Sequence, residues 1–204
     1  VFALDQDHVD PDEAIASILN VSACRAFAFY DFALQTGDLG LVEEARAILA
    51  AAQSLAANAG VVPLWWIIRL CRSLIDDLWA SSLHQSLPTK PPLGGEAQYA
   101  ELRKLFIATL FHRKMSEVEL WPSQREAARR STDVTDDLVV ALPTSAGKTR
   151  VAEIAALMTL SAGRRVLIVT PLRALSAQTE RTFRKTFAPL GFTVSSLYGA
   201  AGVS

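Results

Sequence analysis

The apolar residues of the first 87 positions recur with a helical period rather than a strand-like alternation, and Ala and Leu dominate this region. Ser22 is a suitable N-cap for a first helix, and the Gly-Asp-Leu-Gly turn at residues 37–40 should end it. The third helix is expected to place Trp66, Leu70 and Ile75 along its apolar side. Short connections predict that the helices are antiparallel neighbours in a bundle. The predicted helices cover residues 22–36, 41–58 and 63–87.

Prolines and glycines cluster between residues 86 and 96 and mark the clearest boundary in the chain. After this boundary, residues 95–112 return to a helical pattern that places Tyr99, Leu102, Leu105 and Phe106 on one face. We therefore divide the chain into three parts. They are a helical bundle at 1–88, a linker with a covering helix at 89–117, and a third part at 118–204.

The third part contains a strand-like run, a loop of small residues and a helix-like run, at residues 138–142, 143–149 and 150–160. A phosphate-binding loop requires this order, because small side chains let consecutive backbone N–H groups point at phosphate oxygens beside a helix N-terminus. Lys148 adds a compact positive charge, and the Thr149 hydroxyl is suited to Mg²⁺. The predicted nucleoside triphosphate site consists of Pro143, Thr144, Ser145, Ala146, Gly147, Lys148 and Thr149.

The general phosphate-loop pattern has a glycine where this chain has Leu142. A chance Gly-Lys-Thr at a helix start is therefore the alternative interpretation of this stretch.

Two further apolar segments predict strands. Residues 166–169 form a continuous apolar run, which is typical of a buried parallel strand, and residues 192–197 are also strand-like. Thr170 and Pro171 end the first run at the carboxyl edge of the predicted sheet, where open α/β sheets bind ligands. The predicted fold class is therefore α/β, with an all-helical N-terminal region followed by part of a P-loop domain with a parallel sheet.

Gln124 follows Trp121 and Pro122, which together are typical of a helix start. Its amide group can donate and accept hydrogen bonds at once, so it suits the N6 and N7 edge of adenine. The alternative is an ordinary solvent-exposed glutamine in a helix, which is the more common situation for this residue type.

Three blocks of the chain, in this order and spacing, resemble the start of the first motor domain of superfamily 2 helicases. The blocks are L-W-P-S-Q-R-E-A at 120–127, P-T-S-A-G-K-T at 143–149 and R-V-L-I-V-T-P-L-R-A-L-S-A-Q at 165–178. They are most similar to the DExH-box branch, whose members often carry P-T-[SA]-[SA]-G-K-T instead of a glycine-rich loop. The resemblance covers about residues 118–200 and implies a partial RecA-like domain that binds ATP and Mg²⁺.

The resemblance also implies a role for individual residues outside the phosphate loop. Gln124 would select ATP over other nucleotides, and Thr170, Pro171 and Arg173 would contact the sugar-phosphate backbone of a nucleic acid strand. The planar, permanently charged guanidinium of Arg173 suits that contact. The alternative for Arg173 is a surface arginine in the first turn of a helix.

The charge of the chain is unevenly distributed. Residues 121–204 hold 11 Lys and Arg against 6 Asp and Glu, whereas residues 1–120 hold 9 against 15. A basic half favours a single-stranded or duplex nucleic acid as partner, and the sequence does not decide between DNA and RNA. No apolar run approaches the roughly 18 residues of a membrane span, so no membrane partner is expected. Cys24 and Cys71 are interpreted as buried free thiols of a cytoplasmic protein.

No acidic D-E-x-[DH] segment follows the motor motifs in this sequence, although a helicase needs one to complete its Mg²⁺ site. We therefore interpret the chain as an N-terminal fragment that does not hydrolyse ATP at a useful rate by itself. Three hypotheses remain for its function. They are an ATP-dependent helicase, a nucleotide-dependent switch or translocase without unwinding, and an interaction module in which residues 1–88 bind a protein partner.

Overall fold

The computed structural model describes residues 10–91, 94–133, 135–141, 143 and 147–197. The chain divides into two compact units, Val1–Ala80 and Ser81–Ser204. The first unit contains α1 (Pro11–Thr36), α2 (Leu39–Asn58) and all but the last residue of α3 (Val62–Ser81). The second contains α4 (Leu83–Ser86), α5 (Glu96–Phe111), α6 (Pro122–Ser131), α7 (Lys148–Ser161), α8 (Arg173–Phe187) and a 3₁₀ turn at Ala188–Leu190.

Helix α1 begins earlier than predicted. Its N-cap is Asp10, whose carboxylate accepts a hydrogen bond from the Asp12 N–H at 3.0 Å, and Pro11 occupies the first turn. The prediction of a cap at Ser22 is wrong because that hydroxyl donates to the Ile18 carbonyl at 2.8 Å, four residues back in a continuous helix. The predicted end is confirmed, since Gly37 terminates α1 in the left-handed conformation at φ 79°.

Helices α1 and α2 pack against each other through small side chains. Ala26 and Ala33 of α1 are fully buried, as are Ala45 and Leu49 of α2. Because alanine adds only one carbon beyond the backbone, two such faces can approach closely. None of the described helices has both the length and the apolar character to cross a membrane.

Helix α3 differs from its prediction in both register and length. Ile75 is buried as expected, but Trp66 and Leu70 are 51% and 65% exposed, and the buried face is completed by Ile68 and Trp79. The helix ends before Ser82, whose backbone pairs with Glu119 in an isolated antiparallel bridge. The predicted burial of both thiols is also wrong, since Cys24 is exposed.

The core of the second unit lies among α5, α7 and α8. The rings of Phe106 in α5 and Phe187 in α8 have their centroids 6.1 Å apart, and Ile154 and Leu157 of α7 are fully buried. Tyr99 anchors the start of α5 by donating to the Pro88 carbonyl at 2.7 Å. Burial raises the pKa of Tyr99 to about 12, so this hydroxyl stays protonated and able to donate at neutral pH. This core fixes α7, the helix that follows the predicted phosphate loop.

The predicted α/β class with a parallel sheet is wrong, because the described residues form an all-helical fold and contain no β-strand. Residues 138–141, 166–169 and 192–197, which the sequence assigned to strands, have no regular structure. Leu167 and Val169 are 85% and 84% exposed, and the segments after α7 and α8 line a cavity of about 640 Å³ with Phe183 and Phe187. An apolar run indicates a local preference, whereas a strand also needs a hydrogen-bonded neighbour, which these segments lack.

Candidate nucleotide and nucleic-acid site

Gln124 lies in the first turn of α6 and is only 5% exposed, so it is not a surface glutamine. Its side-chain oxygen accepts a hydrogen bond from the Trp121 N–H at 2.8 Å, which fixes the start of the helix. Its Nε2 donates to the carbonyl oxygen of Gly147 at 3.1 Å. A primary amide has two N–H groups and an oxygen with two lone pairs, so these two contacts use half of its capacity. The structure thus joins the predicted adenine-binding residue to the end of the predicted phosphate loop.

Gly147 is the N-cap of α7 and has a positive φ of 73°. A Cβ atom at this position would lie 1.9 Å from Nε2 of Gln124, so only glycine leaves room for the amide. The position therefore combines a backbone conformation that favours glycine with a close approach of another side chain.

Lys148 and Thr149 form the first turn of α7, and both side chains are exposed. The Lys148 ammonium donates to the Pro143 carbonyl at 3.3 Å, which links the two described ends of the loop. Helix N-termini carry a partial positive charge that attracts anions, and Lys148 adds a full charge at the same end. The remaining predicted loop residues, Thr144, Ser145 and Ala146, lie outside the described residues, as does Leu142.

The predicted nucleic-acid residues lie at the start of α8, which begins with Arg173. Arg173 and Pro171 are exposed, whereas Thr170 is partly buried. The hydroxyls of Thr170 and Ser176 are hydrogen-bonded at 2.5 Å, and the Ser176 hydroxyl also donates to the Leu172 carbonyl at 3.4 Å. Thr170 therefore has a structural contact that stabilises the beginning of the helix, in addition to the contact predicted for it.

A polar ring that includes Arg150 and Glu153 of α7 was not predicted from the sequence. Arg113 donates to Glu117 at 2.5 Å and to Thr186 at 2.6 Å. Arg150 pairs with Glu117 and, at 2.5 Å, with Glu153, and the Thr186 hydroxyl donates to Glu153, which closes the ring. The spacing of Arg113 and Glu117 or of Arg150 and Glu153 indicates local pairs. Nothing in those spacings indicates the long-range contacts that join them.

The ring holds two arginines and two glutamates, and all of them except Glu117, which is 40% exposed, are largely removed from water. Glu153 is 2% exposed, and the side chains of Arg113 and Arg150 are 8% and 11% exposed. Burial lowers the pKa of Arg150 from its ordinary value, although the neighbouring carboxylates oppose that shift. Burial alone would raise the pKa of Glu117, but Arg113 and Arg150 outweigh it and hold that pKa below its ordinary value. Glu117 is therefore ionised at neutral pH.

Comparison with known proteins agrees with the class of protein that these motifs indicate, the superfamily 2 helicases. Residues 121–204 match the sequence model described as DEAD/DEAH box helicase. This match confirms the resemblance to superfamily 2 helicases that we inferred from the three sequence blocks.

Several curated proteins are similar to parts of the chain. Hachiman protein HamB of Bacillus cereus is 28% identical over 173 residues, which are 84% of this chain and 15% of that protein. The chloroplastic DExH-box ATP-dependent RNA helicase DExH15 of Arabidopsis thaliana is 56% identical over 50 residues, or 24% of this chain and 4% of that protein. The ATP-dependent DNA helicase Hel308 of Pyrococcus abyssi is 39% identical over 82 residues, which are 40% of this chain and 11% of that protein.

The chain therefore spans 15% or less of the length of these relatives. The alignment with HamB is longer than the helicase match at 121–204, so it extends into the helices that precede residue 121. The similarity to HamB thus includes part of the helical region as well as the helicase segment.

Proposed function

We propose that this chain carries the ATP-binding portion of an ATP-dependent nucleic-acid helicase or translocase. The observation that carries the proposal is the hydrogen bond from Gln124 to the Gly147 carbonyl. It brings together two predicted nucleotide-binding elements that are 23 residues apart in the sequence. Local packing alone does not require the buried amide of Gln124 to lie against Gly147, the N-cap of α7. Binding of one nucleotide by both residues would explain why they lie together.

The described residues suit ATP and Mg²⁺. The N-terminus of α7 and the exposed Lys148 provide positive potential for phosphates, and the Thr149 hydroxyl is a hard oxygen ligand of the kind that Mg²⁺ prefers. Gln124 retains one N–H and one oxygen lone pair, which are the groups that the N6 and N7 edge of adenine requires. Bound ATP would supply the free energy of phosphoryl transfer, and the role of these residues is to hold its base, phosphates and metal.

The nucleic-acid contact is proposed for Thr170, Pro171 and Arg173, at the exposed start of α8. The basic excess of residues 121–204 supports this proposal, since most of the affinity for nucleic acid comes from phosphate contacts. Backbone contacts of this kind would accept either a DNA or an RNA strand.

Replacing Lys148 with alanine tests the proposed activity in the natural protein that contains this chain. We expect strand-stimulated ATP hydrolysis to fall by about 10²–10³-fold, because a positive group that stabilises transferring phosphate is lost. The measurement is the steady-state rate of phosphate release with single-stranded DNA or RNA. The matched control is Lys104→Ala on the exposed side of α5, which should keep the wild-type rate. Equal rates for the two variants would rule out the proposed role of Lys148.

Replacing Arg173 with alanine tests the proposed strand contact. The affinity for oligonucleotides of different sequence should fall by a similar factor. The slope of the logarithm of the binding constant against the logarithm of the salt concentration should become smaller by about 1, because one phosphate contact is lost. Fluorescence anisotropy with a labelled oligonucleotide at several salt concentrations measures both effects. Lys185→Ala, at the exposed far end of the same helix, is the control. A slope that changes for Lys185→Ala but not for Arg173→Ala would contradict the assignment.

A further inference from the structure

The structure carries a second link between the adenine-binding helix and the phosphate loop, and it passes through the polar ring. Arg150 is the third residue of α7 and directly follows Thr149. Its backbone N–H donates to the Gly147 carbonyl at 3.0 Å, and this is the same oxygen that accepts from Gln124. The orientation of the Gly147 carbonyl is therefore shared between the first turn of α7 and the side chain of Gln124.

The side chain of Arg150 reaches in the other direction, to the segment that leads into α6. It pairs with Glu117, and the segment continues through Leu120, whose N–H donates to the Ser81 carbonyl at 2.8 Å, to Trp121 at the start of α6. The segment from Glu117 to Gln124 is thus attached to α7 at two points. One is the ion pair of Glu117 with Arg150, and the other is the hydrogen bond of Gln124 to Gly147.

The chemistry of the ring favours an orienting role over a purely stabilising one. Burying Arg113, Arg150 and Glu153 costs desolvation energy, and apolar residues of similar volume often give equal or greater stability. A planar guanidinium that bonds two carboxylates has one geometry, however, so it fixes the helix that carries it. Arg150 uses separate nitrogens for Glu117 and Glu153, and the other side of the ring is closed by Arg113 and Thr186.

We propose that Arg150 is a positioning residue for the phosphate site: through the polar ring it sets the first turn of α7, and with it Gly147, Lys148 and Thr149, against Gln124. The inference rests on the proposed ATP-binding function. Its consequence is specific to the phosphate end of the ligand. Loss of Arg150 should weaken the contacts with the β- and γ-phosphates and leave those with the base in place.

The test compares Mg²⁺-ATP with AMP as competitors of a fluorescent ADP analogue on the full chain. For Arg150→Gln we expect the Kd for ATP to rise by about tenfold, the scale seen when a supporting outer-shell contact is removed, while the Kd for AMP is unchanged. Arg150→Lys keeps the charge but loses the planar fork, so it should restore part of the ATP preference. The matched control is Arg129→Gln, which breaks an exposed ion pair with Glu126 on α6 and should change neither constant.

If Arg150→Gln weakens ATP and AMP equally, or weakens neither, the positioning role is overturned. If Arg150→Gln does not fold, the charge-balanced double variant Arg150→Gln with Glu153→Gln takes its place and must show the same selective loss. Lys148→Ala separates the two proposals. If Lys148→Ala leaves the preference for ATP over AMP unchanged, the proposed nucleotide site itself is refuted. If Lys148→Ala reduces that preference but Arg150→Gln does not, only the positioning role of Arg150 is refuted.

Discussion

Gly147→Ala is expected to remove most of the ATP affinity of this chain and to destabilise its second unit by about 2–3 kcal/mol. Holding alanine at φ 73° costs about 1–2 kcal/mol, because a Cβ atom is disfavoured in the left-handed region. The new Cβ would also lie 1.9 Å from Nε2 of Gln124, so the amide must move and its hydrogen bond to residue 147, worth about 1 kcal/mol, is lost. Chemical denaturation measures the stability, and titration with Mg²⁺-ATP measures the affinity.

Gly163→Ala is the matched control for this prediction. Gly163 has a φ of 71°, almost the same as Gly147, but a Cβ atom there would meet nothing within 4 Å. It should therefore show the backbone cost alone and retain ATP binding. A second check is Gly147→Ala combined with Gln124→Ala, where removal of the amide should make the two stability losses less than additive. Equal effects of Gly147→Ala and Gly163→Ala on both measurements would show that the contact with Gln124 is unimportant.

Arg150→Gln is expected to lower the free energy of unfolding of the second unit by about 3–5 kcal/mol, the usual cost of removing one partner from a buried ion pair. The cost falls mainly on Glu153, which is 2% exposed and would keep only Thr186 as a ring partner. Glu117 is affected less, because it is 40% exposed and retains Arg113. Hydrogen exchange of the backbone amides of α5 and α7 at increasing urea concentration gives the free energy of unfolding of this unit.

Double substitution distinguishes an isolated buried charge from general damage to the core. Arg150→Gln combined with Glu153→Gln leaves the ring electrically balanced, so it should recover a large part of the stability that Arg150→Gln loses. Arg129→Gln should have little effect on stability, because that ion pair is exposed on both sides. A double variant no more stable than Arg150→Gln alone would contradict the account of the ring.

The helices and the ends of several of them were predictable from sequence because their signals are local. Gly37 ends α1 where the sequence places a stop, and α7 begins directly after the Gly-Lys-Thr signature. Errors arose where a local signal had two meanings. Ser22 is as suitable for bonding to the preceding turn of a helix as for capping a new one, and Trp66 lies within an apolar run that does not define which side is buried.

The lack of strands among the described residues and the presence of the polar ring could not be predicted from sequence for a different reason. Residues 166–169 have the composition of a buried strand, but strand formation depends on hydrogen-bonded neighbours that the run itself does not specify. The ring joins residues 33 and 73 positions apart, such as Arg150 with Glu117 and Arg113 with Thr186, and no local spacing encodes such contacts. The family was recognisable because its motifs are short and contiguous, while the contact of Gln124 with Gly147 required the folded chain.

The most direct test of the ATP site is calorimetric titration of this chain with Mg²⁺-ATP, alongside the Lys148→Ala and Gln124→Ala variants. We expect one saturable site in the wild-type chain. Lys148→Ala should weaken ATP and GTP alike because it removes a phosphate contact, whereas Gln124→Ala should reduce the preference for ATP over GTP. Absence of saturable binding, or binding that neither substitution alters, would contradict the assignment of these residues to a nucleotide site.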